Sequence, residues 1–402
     1  MSFFSWLFAR SGPEDRFARQ VLGRLRAAGI RNGIYHREQF AIEYRTLPDH
    51  DPTWMYLGNL FAECRRDPGT RLDRIERFVA TVVSPPSMPE TWEEARDLLR
   101  PVLRGASFGR GGPTSRRTVL RRPALPYLDE LVVVDQPTSM GYVAEGMWQV
   151  PSEQIFATAR ANLDRGDSPP RRSTPGGGSG TLTFFDSNDA YVVSRLLLDG
   201  WLAGLAEEVG GRPVAFAPDP TSLIVAADDV VTLARLFEAA EEAYVQAPRP
   251  LSPVGYTVND RGHIVPYTVP RDHPLAGVVT RASRALASVE YETQRVVLQP
   301  GTETSQYAVA SCLLIQRPDR TAFTIARWSG QQPMLLPVVD YIALDEAATG
   351  GEDSPGFIPW QALLDEDLLV EAVEYRPTRY WIEGQTRPDV LARLLQRAIA
   401  HP

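Results

Sequence analysis

Gly105-Ala106-Ser107-Phe108-Gly109 has the G-x-S-x-G spacing of a nucleophile elbow, which holds a serine on a strained turn between a strand and a helix. Pro101-Val102-Leu103-Arg104 can supply the strand. Arg110-Gly111-Gly112-Pro113 is a poor helix start, so the pattern predicts no serine nucleophile. A second constellation, Asp186-Ser187-Asn188-Asp189, falls where a strand is expected to give way to a helix. Short polar side chains there cap the first free N–H groups. The same geometry attracts anions, which makes Asp186, Asn188 and Asp189, with Arg195 about two turns on, ligand-binding candidates. Asp186 and Asp189 would repel an anion unless a metal stood between them. Capping is therefore the simpler reading, and a metal-dependent hydrolase using these carboxylates is the alternative.

The five histidines, His36, His50, His263, His273 and His401, fall at no metal-ligand spacing, and His36-x-Glu38 lacks the Pro-Cys-x-x-Cys partner of a zinc deaminase. No catalytic residue, metal ligand or cofactor is expected. The chain contains no lysine; all 42 basic residues are arginine. That excludes Schiff-base lysines, Ser-Lys pairs and the phosphate-binding lysine of a P-loop. Two cysteines far apart, Cys64 and Cys312, offer no disulfide framework and read as buried thiols of a cytoplasmic protein. No run reaches the roughly 20 apolar residues of a membrane span. The short apolar start, Phe3 to Phe8, lacks a basic flank and a cleavage site, so it is not expected to be a signal peptide.

Net charge is −8, unevenly spread: residues 1–180 carry an excess of four positive charges and the rest an excess of twelve negative ones. Arg104, Arg110, Arg116, Arg117, Arg121 and Arg122 lie in a Gly- and Ser-rich stretch with no acidic residue between Asp97 and Asp129. A mobile basic loop could track phosphates. Apart from Phe108 it lacks the aromatic residues on which single strands stack, so nucleic-acid binding is not favoured.

Elements that would position these residues follow from periodicity. Helices are predicted over Glu14–Ala28, Pro52–Arg66, Leu72–Val82, Ser152–Leu163 with Ser152 as N-cap, Asp189–Glu207, Asp229–Val245, Pro274–Tyr291 and Arg387–Ile399. Strands are predicted at 101–104, 131–134, 142–147, 181–185, 214–217 and 223–226, with hairpins at 33–44 and 254–269. Strands dominate after residue 300, among them 334–344. Flexible Arg/Gly/Pro-rich loops are expected at 105–123 and 165–181. A break near residue 272 divides a 1–272 core region from a 273–402 C-terminal domain. The expected class is α+β: a mixed sheet with packed helices in the core region, plus a smaller, strand-rich α+β C-terminal domain.

Several stretches together resemble the YtpQ-like bacterial proteins, domain of unknown function 1444. They are Pro101 to Arg104 with Ser107-Phe108, Ala161-Asn162-Leu163, Phe184 through Leu197, and Pro213 to Pro218 leading to Ser222-Leu223-Ile224-Val225. The resemblance covers about residues 15–270. It implies an intracellular bacterial protein, places Ser107 on a continuing strand, and implies no particular activity. The expected role is that of a non-catalytic interaction or regulatory module whose partner is another protein.

Overall fold

Phe17, Val21 and Leu25 recur every four residues and are fully buried along the helix Pro13–Ala27, while Arg16, Arg24 and Arg26 stay exposed. The computed structural model describes residues 12–37, 40–45, 53–83, 88–110, 118–136, 139–165, 172–173, 183–185, 191–298, 307–330, 332–344, 356–384 and 386–400. The fold is α+β, and its contacts divide the chain into two units: residues 1–89 with 135–141 and 246–250, and residues 90–134, 142–245 and 251–402. Among the described residues no helix is long and apolar enough to cross a membrane.

In the first unit the Pro13–Ala27 helix joins the helices Gly58–Arg66 and Arg71–Val83 and an antiparallel three-stranded sheet, Ile34–His36, Ala41–Tyr44 and Thr53–Tyr56. The helix expected from Pro52 therefore begins only at Gly58. Thr53–Tyr56 pairs with Ala41–Tyr44 instead, which suits its run of aromatic and β-forming residues.

In the second unit a six-stranded antiparallel sheet has the order Ile264–Pro266, Ser252–Val258, Pro213–Asp219, Ser222–Ala227, Thr183–Phe185, Arg172–Ser173. Its core includes Phe216, Phe237 and Tyr256. The single helix expected at 189–207 is a succession of 3₁₀ turns, Val193–Leu197 and Ala203–Leu205, before a short α-turn Ala206–Val209. Gly200, at φ +74°, adopts a backbone that ends any regular helix there. Val192, Leu196, Leu202 and Leu205 are nevertheless buried, because the hydrophobic requirement is met without the helix. The helix Ser152–Asp164 is preceded by Pro151 at the N-cap, so Ser152 is its first helical residue and not its cap.

After residue 300 two four-stranded sheets form. One has the order Ala308–Val309, Met334–Pro337, Arg379–Ile382, Val370–Ala372; the other runs Leu313–Gln316, Ala322–Trp328, Tyr341–Leu344, Phe357–Pro359. The strand expected over 334–344 is thus two strands in different sheets. Both sheets are mixed, with parallel pairs at Ala308–Met334 and Ile325–Tyr341.

A break near residue 272 does not separate compact units. The helix Ala276–Leu298, roughly 35 Å long at 1.5 Å per residue, begins just beyond it and serves two cores of one unit. Val279, Ala282 and Leu286 pack into the core of the six-stranded sheet, while Ala287 and Tyr291 enter the core of the C-terminal strands. Each large apolar side chain so buried contributes about 1.5–3 kcal/mol.

Candidate functional site

Residues 128–134 of the strand Leu128–Gln136 lie in the second unit, at the centre of a small antiparallel sheet between Leu99–Gly105 and Arg121–Leu125. Its neighbouring residues Asp129 and Glu130 are both fully buried. Successive strand residues face opposite sides, and each carboxylate gathers arginines on its own side. Glu130 accepts from Arg122 Nε at 2.7 Å and from Arg160 Nε and Nη2 at 2.8 and 2.6 Å. Asp129 accepts from Arg110 Nη2 at 3.2 Å and from Arg376 Nε, and Arg121 Nη1 lies 3.6 Å from it.

Asp129 is thus one carboxylate among three guanidinium groups. Arg121 Nε is buried without an acceptor, and burial lowers the pKa of this arginine below its ordinary value. Nη1 of Arg110 and Nη1 of Arg376 make no hydrogen bond among the described residues. The remaining donors of both residues are tied to Asp129 and to the carbonyls of Ala106, Leu125 and Leu128.

A pocket of about 200 Å³ lies against Arg110 and Arg376, with Ser107, Gln294, Tyr307 and Glu374 also in its wall. The side chains of Arg110 and Arg376 are 31% and 29% exposed, so they meet solvent there. Val297 and Leu298, at the end of the long helix, make an apolar side. Glu374 is exposed and forms no hydrogen bond or ion pair among the described residues.

Behind the pocket, Arg379 is fully buried, with no carboxylate partner among the described residues. It donates to Gln294 Oε1 at 2.6 Å and to the carbonyls of Ala310, Leu335 and Tyr291 at 2.9, 3.2 and 2.9 Å. Burial pulls its pKa down to about 10, and it remains a cation at neutral pH. Gln294 in turn donates to the carbonyl of Pro377 at 2.8 Å, which fixes the 376–379 segment against the helix.

Ser107 sits in a turn directly after the strand Leu99–Gly105, not on a continuing strand. Its backbone N–H and its hydroxyl both donate to Oε2 of Glu290, at 2.8 and 2.7 Å. Burial raises the pKa of Glu290 above its ordinary value, a shift that the Ser107 hydrogen bonds partly oppose. Two donors from one residue on one oxygen form a clamp between the turn and the helix Ala276–Leu298. The Gly105–Gly109 spacing thus falls on a turn in which both donors of the serine go to Glu290.

Asp186, Asn188 and Asp189 lie outside the described residues, as do Arg116 and Arg117. Arg195 is buried in the Val193–Leu197 turn and does not line the pocket. Among the described residues of the basic stretch, only Arg110 lines the pocket. Arg104 donates to Tyr142 Oη at 2.9 Å and lies over the rings of Phe108 and Tyr142. Arg121 and Arg122 belong to the strand Arg121–Leu125, and Arg122 stacks 4.2 Å from the centre of the Phe156 ring. These fixed contacts replace the mobile loop expected through 105–123 wherever that segment is described.

Sequence reading missed Asp129, Glu130, Glu290, Arg376 and Arg379. One signal was present: Asp129-Glu130 opens the apolar run Leu131-Val132-Val133-Val134, and carboxylates that begin a buried strand require partners. Among the described residues no three His, Cys, Asp or Glu side chains converge as a metal site. No family model, no curated protein and no solved structure matches this chain.

Proposed function

We propose that this chain is a non-catalytic regulatory module that binds a small organic acid in the pocket between Arg110 and Arg376. The observation that carries the reading is the pair of Nη1 groups, without a hydrogen bond among the described residues, on two arginines anchored to the same buried Asp129. Guanidinium groups held by a buried carboxylate are preorganised, so binding an anion orders little that is not already ordered. At about 200 Å³ the pocket falls below the roughly 300 Å³ of drug-sized sites, which favours a small acid over a nucleotide.

The partner in this reading is another protein. Val370–Ala372 is the last strand of its sheet among the described residues; Val370 and Val373 are 66% and 81% exposed, one or a few residues before Glu374 and Arg376. A sheet edge beside the ligand is suited to strand addition by a partner. Kinship with the YtpQ-like proteins and a bacterial cytoplasmic setting belong to the same proposal. The buried free thiols Cys64 and Cys312 support a reducing compartment.

Thermal unfolding of the full chain in the presence of small carboxylates, phosphate and aliphatic amines tests the reading. Carboxylates should raise the melting temperature in a concentration-dependent manner, because a ligand that binds only the native state stabilises it. An equal response to amines, or none to any acid, would remove the basis for the proposal.

A further inference from the structure

The pocket wall carries opposite charges that do not neutralise one another. Glu374 and Arg376 are two residues apart and both line the cavity, yet Arg376 gives its Nε to Asp129, and Glu374 has neither hydrogen bond nor ion pair among the described residues. A ligand bearing only a carboxylate would bring its charge near Glu374 as well as near the arginines. The repulsion would offset part of the attraction. A ligand that also carries an ammonium group turns that repulsion into a second ion pair.

Ser107 adds to the same side. Its hydroxyl hydrogen is given to Glu290 Oε2, so the oxygen's lone pairs are left as acceptors at the pocket wall. Val297 and Leu298 provide a surface for an aliphatic group. Resting on the reading of the pocket as a carboxylate site, we infer that its ligand is an α-amino acid with an aliphatic side chain. The carboxylate meets Nη1 of Arg110 and Arg376, the ammonium meets Glu374 and the Ser107 hydroxyl, and the side chain lies on Val297 and Leu298. The class follows from three features: two arginines with donors to spare and one carboxylate without a partner among the described residues, and an apolar wall in a cavity of about 200 Å³.

Isothermal titration of the full chain with L-leucine, 4-methylpentanoate and 3-methylbutylamine separates the contributions of the two charged groups. L-leucine should bind one to one and at least tenfold more tightly than 4-methylpentanoate, with no binding of the amine. Glu374→Gln, at an exposed position, should keep the melting temperature, reduce L-leucine affinity to that of 4-methylpentanoate, and leave the affinity for 4-methylpentanoate the same or higher. Equal or tighter binding of 4-methylpentanoate by the unmodified chain would overturn the amino-acid assignment and leave the carboxylate site standing. L-leucine binding unaffected by Glu374→Gln would overturn it too. Failure of both acids to bind would overturn the carboxylate site itself.

Discussion

A Cβ at position 105 would lie 2.0 Å from Oε1 of Glu290, closer than any side chain tolerates, so the carboxyl group occupies the space that glycine leaves open. Gly105 is needed for room, since the neighbouring atoms are the buried end of a side chain held in place by Ser107. Gly105→Ala should cost about 2–4 kcal/mol in denaturant unfolding, at or somewhat above the usual range for overpacking. In a Glu290→Ala background the same change should cost under about 1 kcal/mol, because the obstruction is gone. Additive costs would show that the two positions do not compete for one space.

Asp129 is fully buried and holds Arg110, Arg121 and Arg376, the last of them 247 residues away along the chain. Asp129→Asn leaves those guanidinium groups without a counter-charge, and should lower stability by about 3–5 kcal/mol, as expected when one partner of a buried ion pair is removed. Arg122→Ser breaks contacts to Glu130, Glu153 and the Phe156 ring, and should cost about 1–3 kcal/mol. Circular dichroism with urea unfolding measures both. An Arg122→Ser variant as stable as the parent would return this arginine to the solvated loop that the sequence suggested.

Burial holds the proton on Glu290 to a higher pH than its ordinary 4.5, so the native state binds more protons than the unfolded chain in the interval above that value. Its favourable contribution is complete below 4.5 and is lost as pH rises through the native pKa. Gln cannot ionise, yet its carbonyl can accept the Ser107 donors. The stability of Glu290→Gln relative to the parent should therefore increase from pH 4.5 upward and level off beyond the native pKa. Matched urea titrations at several pH values measure that difference, and a difference that stays flat across the interval would mean that Glu290 titrates as it does in the unfolded chain.

The α+β class was legible because hydrophobic periodicity is local: the stripe of Phe17, Val21 and Leu25 and the apolar strand Val214–Ala217 each announce themselves within a few residues. The site was not legible, because it joins Ser107 to Glu290, 183 residues away, and Asp129 to Arg376, 247 residues away. Nothing local distinguishes Arg376 from other arginines. The partners of Arg110, Arg121 and Arg122 were hidden for the same reason, since Asp129 and Glu130 meet them across the sheet, not along the chain. At 189–207, propensity favoured a helix, and burial of the same side chains was achieved by 3₁₀ turns around Gly200.

The most direct measurement is calorimetric titration of a small aliphatic carboxylate into the parent chain and into Val297→Trp, which fills the cavity from its helix side and leaves Asp129 and its arginines unsubstituted. The account predicts saturable one-to-one binding by the parent and, at unchanged Asp129 anchoring and a melting temperature within a few degrees, loss of that binding in the variant. Binding that survives Val297→Trp, or a parent chain that takes no carboxylate, would contradict it.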